Sequence, residues 1–309
     1  MDIGVSEDRA RASAARAAAK SGVRMRALDT TTSSHACERF LCEVWQTGPD
    51  HPPLAGDVVK AMADAGSYVV GAFEETEGAD GGDGGGGGAD DDGGDGRLLG
   101  VCIALWGPPS RPALHSHVAG VHAAARGRDV GFALKLDQRA HALASGVDRI
   151  TWTFDPLVAR NAHFNLRKLG GTADTYLPDY YGPLSDGLNA DDESDRLMLR
   201  WDLLGDRAVA ACDEDAGSGL ARPGSAASAP GTLLDIDGDR PVIRRTEDRT
   251  VLVAVPPDID RLRAERPSVA REWRPALRDV LGALLADGAR LVDFDRTACG
   301  YVLTRGESR

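Results

Sequence analysis

The residues best suited to chemistry lie in one stretch, residues 118–131, which reads VAGVHAAARGRDVG. A strand pattern ends there, a turn containing Gly127 follows, and a long helical pattern begins at Arg128. Small residues let a backbone approach a ligand closely, and the N–H groups of a helix's first turn attract anions. The pattern indicates a turn that binds phosphate or pyrophosphate, although an ordinary helix start would also explain the glycines. It is neither a phosphate loop nor a dinucleotide fingerprint, because the residues that those motifs require are absent.

Two histidines precede this turn. His115 and His117 lie two residues apart in an apolar strand pattern, so their side chains share one face. Imidazole changes protonation near neutral pH, which makes His117 a candidate general base. Two other interpretations stay open, a hydrogen-bonded core histidine and a metal ligand together with His115 and His122. Because no further strong ligand is identifiable, we expect no metal site.

Further polar candidates follow the next strand pattern. Asp155 comes directly after that strand, and sites in α/β sheets often lie at the carboxyl ends of strands. Its carboxylate is a candidate ligand for a substrate ammonium group, or else it caps a turn. Asn161 and Asn165 lie four residues apart on one face of a predicted helix, where they can bond to amide groups of a ligand or to each other.

Hydrophobic periodicity predicts the elements that must position these residues. Strands are expected over residues 23–28, 67–73, 98–106, 114–121, 149–154 and 196–204. Helices are expected near residues 37–45 and 58–65, and over 128–145 and 159–169. Beyond them lie a strand over 250–255, a helix over 268–286 and strands over 291–294 and 301–304. The order predicts an α/β fold with a mixed sheet flanked by helices.

Composition divides the chain into segments. Residues 1–22 show no apolar face and are expected to form a disordered arm, followed by a main domain over 23–205. Residues 74–96 are almost entirely glycine and acid, which predicts a disordered loop inside that domain. Residues 206–231 are expected to be a linker, and 232–309 a smaller α/β domain. Residues 144–155 and 286–295 both run from helix through glycine into a strand, which suggests the hypothesis that this second domain is a degenerate repeat.

The turn and its surroundings resemble a known family. Arg126-Gly127-Arg128-Asp129-Val130-Gly131 is similar to the acyl-CoA binding motif of the GNAT superfamily of N-acyltransferases, and residues 161–170 resemble the helix beside the CoA thiol. The resemblance spans residues 23–204 and implies a mostly antiparallel sheet. Residues 116–117, 151–157, 160–165 and 180–182 resemble a poorly characterised bacterial subgroup with an appended C-terminal region. The implied cofactor-binding residues are Val121, Arg126, Gly127, Arg128, Val130, Gly131, Asn161 and Asn165.

Two residues depart from the family pattern. Asp129 stands where its first glycine is expected, and a carboxylate there would either cap the helix or repel pyrophosphate. Leu166 stands where many members carry the tyrosine that protonates the CoA thiolate. The acid must then come from elsewhere or from water, or it is not needed. Tyr181 is a candidate for the missing phenol, while packing at an interface is the alternative for Tyr181 and its neighbours Tyr176 and Tyr180.

The resemblance implies an enzyme that transfers an acyl group to a primary amine of a small molecule or amino acid. The amine attacks the thioester of a co-substrate, acetyl-CoA or another acyl-CoA such as succinyl-CoA. The catalytic candidates are His117, Asp155 and Tyr181. The alternative is a non-catalytic CoA-binding or regulatory module, which the two departures favour. A homodimer remains open.

Charge and composition limit the other classes of function. The net charge is −12, but nine acidic residues and no basic ones lie between Glu74 and Asp95, so the remainder is nearly balanced. This argues against nucleic acid as a partner. There is neither an apolar run long enough for a membrane span nor a secretory signal, and we expect a soluble cytoplasmic protein. The five cysteines show no metal or redox spacing and are expected to be reduced thiols.

Overall fold

The computed structural model describes residues 3–75, 96–182, 192–212 and 229–306. The chain divides into two compact units, Met1–Val147 and Asp148–Arg309. The elements described in the first unit are α1 (Ile3–Ser21), β1 (Val23–Ala27), α2 (Thr31–Trp45), α3 (Gly56–Asp64), β2 (Tyr68–Glu74), β3 (Leu98–Trp106), β4 (Leu114–Val121) and α4 (Val130–Ala144). Its four strands lie in the order β1-β2-β3-β4, and each neighbouring pair is antiparallel.

Helices cover both faces of these strands, because successive side chains of a strand point to opposite sides. On β3, Val101 and Ile103 join an apolar core with α2 and α3. Cys102, which lies between them, accepts a hydrogen bond from Gln138 on α4. Thr30 is the N-cap of helix α2, and its side chain accepts a hydrogen bond from the backbone N–H of Ser33.

The expectation of a disordered arm over residues 1–22 is wrong, because Ile3–Ser21 forms helix α1. The apolar residues that its described part buries, Ala10, Ala14 and Ala17, are spaced along one face of the helix. Alanine adds little hydrophobicity to the pattern, but a stripe of small side chains allows a neighbouring helix to approach closely. Helix α1 packs on α4 in this way.

The second unit contains two groups of strands. Its described elements are β5 (Arg149–Phe154), α5 (Ala159–His163), β6 (Thr172–Leu177), β7 (Arg196–Asp202), α6 (Asp206–Cys212), β8 (Gly231–Asp237), β9 (Arg240–Ile243), β10 (Thr250–Ala254), α7 (Ile259–Glu265), α8 (Pro267–Leu277), α9 (Ala283–Ala286), β11 (Arg290–Asp295) and β12 (Gly300–Thr304). Strand β7 lies between β5 and β6, antiparallel to both. The other five strands form a sheet in the order β11-β12-β10-β8-β9, in which only β10 and β8 are parallel. The predicted mixed and mostly antiparallel α/β architecture is confirmed.

Several elements of the second unit were not predicted. Strand β6, which contains Tyr176, was not among the predicted strands, because its polar residues conceal the strand pattern. Residues 206–212 were expected to belong to a linker and instead form α6, which buries Ala208 and Cys212. Strands β8 and β9 and helix α7 were also missed.

Part of the segment predictions lies outside the described residues. This is true of residues 76–95 of the acidic loop and of residues 213–228 of the linker. The division between the compact units falls at residues 147 and 148 instead of in the linker, so the domain boundary stays a prediction.

In the structure, the strand order of the suspected repeat matches different strands from those that the sequence comparison matched. Strand β12 lies between β10 and β11, just as β7 lies between β5 and β6, with antiparallel pairing in each case. This order matches β5 with β10, whereas the sequence comparison matched β5 with β11. Duplication therefore stays a prediction.

Candidate active site

Strand β4 is irregular at His117. Ser116 pairs with Ala104 and Val118 with Ile103, so His117 is an extra residue opposite an unbroken stretch of β3. Such a bulge bends its strand and redirects the side chain that it carries, and bulges are common beside active sites. Desolvation lowers the pKa of His117 below its usual value of 6.5, which keeps the ring neutral at pH 7 and able to accept a proton. Burial, His117 and Lys135 lower the pKa of His115 in the same direction.

A buried polar cluster lies beneath the bulge, on the α4 side of β4. Lys135 donates hydrogen bonds to the hydroxyl of Ser116 at 2.7 Å and to the amide oxygen of Gln138 at 3.1 Å. Gln138 in turn donates to the thiol of Cys102 at 3.2 Å. Burial lowers the pKa of Lys135, because a low-dielectric interior disfavours an ammonium ion. This cluster was not predicted from sequence, although the apolar neighbours Leu134 and Leu136 could have indicated that Lys135 is buried.

The turn before α4 has the backbone geometry that glycine favours. Gly127 and Asp129 both adopt left-handed conformations, with φ of 82° and 62°. The N–H groups of Phe132 and Ala133 bond to the carbonyl of Asp129, which leaves those of Val130 and Gly131 without an acceptor inside the helix. Those two groups and the positive end of the helix dipole can hold an anion.

The side chains of this turn have different surroundings. Arg128 forms an ion pair with Glu74 at 2.6 Å and donates to the carbonyls of Ser21 and Gly22, so its guanidinium ties the turn to β2 and to the end of α1. Arg126 is exposed and has no ion pair with any other described residue. The structure therefore leaves Arg126 as the arginine able to meet a ligand.

The apolar candidates of the turn also differ from one another. Val130 is buried, and its side chain lies against Gly100 of β3, so only its backbone can serve a ligand. A Cβ atom at Gly131 would lie 3.4 Å from the side chain of Val121, which places the end of β4 beside the first turn of α4.

His122 is held within the first unit. Its Nε2 lies 2.7 Å from a carboxylate oxygen of Glu43, and its Nδ1 accepts the N–H of Ala124. These contacts fix the ring as the cap of a short 3₁₀ turn, Ala123–Ala125. In the described parts of the chain, no cluster of three or more metal-ligating side chains is present.

In the second unit, Asp155 is buried and ion-paired. Arg274 donates to both of its oxygens at 2.9 and 3.1 Å, and Arg263 donates at 3.1 Å. The N–H of Leu157 adds a fourth bond. Burial raises the pKa of Asp155, but the two arginines outweigh it and lower the pKa from 3.8 to about 2. Since both oxygens are already paired, the structure gives Asp155 a structural partner in place of the expected substrate ammonium.

The two asparagines of α5 and the turn that follows it do not act alike. Asn165 is buried, and its side-chain oxygen accepts the indole N–H of Trp152 at 3.3 Å. Asn161 is half-buried. Leu166 is fully buried, and its side chain offers no proton. Of these residues, Asn161 remains the candidate for ligand contact.

Tyr181 lies beside strand β5. Its phenol oxygen is 3.1 Å from the hydroxyl of Thr153, and its ring lies 4.7 Å from that of Tyr180. Both tyrosines are 44% exposed. Tyr176 is different, because burial and its hydrogen bond to Asp195 raise its pKa far above the usual range. The phenols of Tyr180 and Tyr181 are thus more accessible to a ligand than that of Tyr176, and of the two it is Tyr181 that contacts β5.

The sequence analysis also missed the partners of this segment. The acidic residues Asp192, Glu193 and Asp195 each pair with an arginine, Arg274 or Arg278. The signals were present, because the arginines lie four residues apart in a helical pattern and the acids form a compact run.

Comparisons with known proteins give structural similarity only. No protein-family model and no curated relative matches this chain. A GNAT-family acetyltransferase from Streptococcus pneumoniae matches with a TM-score of 0.43 at 12% identity, over 58% of this chain and 97% of its own. The protein yncA from Salmonella typhimurium, whose structure holds acetyl-CoA, matches at 0.43 and 15%, over 59% and 95%. The ribosomal-protein-S18-alanine N-acetyltransferase from Escherichia coli matches at 0.40 and 13%, over 60% and 97%.

Proposed function

We propose that this chain is an acyl-CoA-dependent N-acyltransferase that transfers an acetyl group to a primary amine of a small molecule or amino acid. The observation that carries the proposal is the turn before α4. Its two left-handed residues, Gly127 and Asp129, turn the backbone into helix α4, whose first N–H groups are those of Val130 and Gly131. The sequence resemblance to the GNAT motif falls on these same residues.

The turn suits a pyrophosphate group in most respects. Backbone N–H groups at a helix start are good anion donors, and Arg126 adds a positive charge nearby. Gly131 keeps the first turn free of a side chain that would cover those donors. The carboxylate of Asp129 is unfavourable, since it places a negative charge at the same helix end. An acyl-CoA bound here would supply the activated thioester.

His117 is the proposed general base. Its lowered pKa leaves the ring neutral, so it can take a proton from the amine directly or through water. Removal of that proton lets the nitrogen bond to the acyl carbon while the carbon–sulfur bond breaks. Tyr181 is the proposed proton donor to the departing thiolate. We do not assign Asp155 to the substrate, because Arg263 and Arg274 already neutralise it.

Two measurements test this proposal. Titration calorimetry with CoA, acetyl-CoA and succinyl-CoA measures binding, and a panel of primary amines with acetyl-CoA measures thiol release. Micromolar binding together with amine-dependent thiol release is the expected result. His117→Gln should retain binding and lose transfer, while His141→Gln, an exposed histidine on α4, serves as the control.

A second candidate is a non-catalytic CoA-binding or regulatory module. It is favoured by the buried Leu166, which places no phenol at the family's usual acid position, and by Asp129. Binding of CoA without thiol release from any amine would support it. Absence of binding to all three CoA compounds would contradict both candidates.

A further inference from the structure

A turn with two exposed tyrosines, Tyr180 and Tyr181, is hydrogen-bonded to Ser194. The backbone N–H of Tyr180 donates to the carbonyl of Ser194 at 3.1 Å, and the N–H of Tyr181 donates to its hydroxyl at 2.8 Å. At the other end of the residue, the phenol of Tyr181 reaches Thr153 on β5. The position of Tyr181 therefore depends on where Ser194 is held.

The neighbours of Ser194 are held by the C-terminal region. Arg278 donates to both oxygens of Asp195, at 2.9 Å from Nε and 2.5 Å from Nη2, and also bonds to Glu193 at 2.6 Å. Arg274 donates to Asp192 at 2.7 Å. The two arginines lie four residues apart on one helical face, and together they form ion pairs with acidic residues on both sides of Ser194.

Asp195 is the centre of this arrangement. It is fully buried and accepts bonds from the phenol of Tyr176 at 2.7 Å and from the N–H of Asp179 at 2.9 Å, in addition to Arg278. Asp179 accepts bonds from both the N–H and the hydroxyl of Ser194, at 3.2 Å each. One buried carboxylate thus joins β6, the tyrosine turn and the C-terminal region.

Arg274 extends the same connection to β5. Besides Asp192, it pairs with Asp155 at the end of that strand, and Arg263 bonds to both aspartates at 3.1 Å. Tyr301 of β12 adds a bond from its phenol to the carbonyl of Pro156 at 2.7 Å. The C-terminal region thereby fixes both structures that Tyr181 touches, the Ser194 segment and β5.

From this geometry we infer that Arg274 and Arg278 are positioning residues for Tyr181, and that the C-terminal region serves to hold this tyrosine turn in place. The inference rests on the proposed function insofar as it predicts an effect on acyl transfer. Its structural content, a turn held through Asp195 and Ser194, stands on the contacts alone.

The first test is hydrogen exchange, which needs no activity. In Arg278→Gln, Asp195 loses its charged partner, and peptides covering residues 176–182 should exchange about tenfold faster or more. Arg278 is partly exposed, so this variant should fold, whereas the fully buried Arg274 is a poorer choice. Arg261→Gln removes an exposed ion pair from α7 and is the matched control. Ser194→Ala should accelerate exchange in the same peptides.

The second test is kinetic. In Arg278→Gln, kcat/KM for the amine should fall about tenfold or more, while the KM for acetyl-CoA changes less than about twofold. Arg278→Lys should restore part of the loss, since one ammonium group cannot replace both bonds to Asp195.

The outcomes separate the inference from the proposed function. Exchange equal in Arg278→Gln, Arg261→Gln and the parent protein would overturn the positioning role. Faster exchange with unchanged amine kinetics in an active parent would overturn its link to transfer. If the parent protein transfers no acyl group, the proposed function fails, and exchange alone decides whether Arg278 holds the turn.

Discussion

Asp129 combines an unfavourable backbone conformation with an unfavourable charge. Its φ of 62° and ψ of 19° lie in the left-handed region, directly before the first turn of α4. We predict that Asp129→Gly and Asp129→Asn both strengthen the binding of CoA. Asparagine tolerates the left-handed region and is nearly the same size as aspartate, so the Asn variant isolates the effect of the charge.

The magnitude follows from the position of Asp129. An anion held by the N–H of Val130 would lie about one helical turn, roughly 5–6 Å, from the carboxylate. Two unit charges at that separation in water repel by about 0.7 kcal/mol, so a pyrophosphate with about two charges is weakened by about 1.4 kcal/mol. That energy corresponds to about tenfold in Kd. The stability of the Gly variant depends on other effects. Glycine relieves backbone strain at this position by about 1 kcal/mol, but it raises the entropy of the unfolded chain and removes a negative charge that stabilises the helix end, so the net change in the free energy of unfolding is small.

Titration calorimetry with CoA, at low salt and at about 0.5 M salt, provides the assay. Both variants should bind about tenfold tighter at low salt, and screening should reduce the gain at high salt. Asp64→Asn removes an exposed aspartate of α3 and controls for net charge. Thermal unfolding should show both Asp129 variants within about 1 kcal/mol of the parent protein. A Kd for Asp129→Asn that is equal to or weaker than the parent's would refute the reasoning.

Three further variants test other parts of the molecule. His117→Gln should lower kcat/KM for the amine by about 10²–10⁴-fold. Because desolvation lowers the pKa of His117, the acid limb of the pH profile of the parent protein should lie below pH 6.5. A variant with the same pH profile as the parent protein would rule out His117 as the base. The pKa of Asp155 is about 2, so its ion pairs should contribute about 2 kcal/mol of stability above pH 4 that disappears as the pH falls through 2. Denaturant unfolding of Asp155→Asn should show a large loss of stability at pH 7, since Arg274 is left buried without that partner; a loss under about 0.5 kcal/mol would contradict the ion-pair assignment. Because burial lowers the pKa of Lys135 in the folded protein, the amine is protonated more readily in the unfolded chain than in the folded one. Protonation therefore favours unfolding, and the free energy of unfolding should rise with pH up to about 10.5. Lys135→Met should flatten that slope in urea titrations, and an unaltered slope would disprove this origin.

Asp155 was predicted from sequence to bind a substrate, but in the structure it forms buried ion pairs. Its place at the end of a strand is the place where ligand groups occur in α/β sheets. The residues that neutralise it, Arg263 and Arg274, come more than a hundred residues later in the chain. No local pattern around Asp155 reports on those partners.

Three strands that carry candidate residues could be predicted closely from sequence. The expected bounds of β3, β4 and β5 agree with the structure, because each is an apolar run bounded by turn residues. Helix α1 and strand β6 could not be predicted in this way. Alanine gives α1 only a weak apolar signal, and β6 contains polar residues that hide the alternation of a strand, although it pairs with β7 along its length.

The sequence by itself determined the α/β class, the strands β3, β4 and β5, the glycine-type turn before α4 and the presence of His117 on β4. These features depend on residues close together in the chain, whose periodicity and turn chemistry are local. Tertiary structure alone decided four other features: the bulge at His117, the burial of Lys135, the ion pair between Arg128 and Glu74, and the ion pair between Arg278 and Asp195. The physical reason is that strand register, desolvation and ion pairing depend on which distant segments fold against one another.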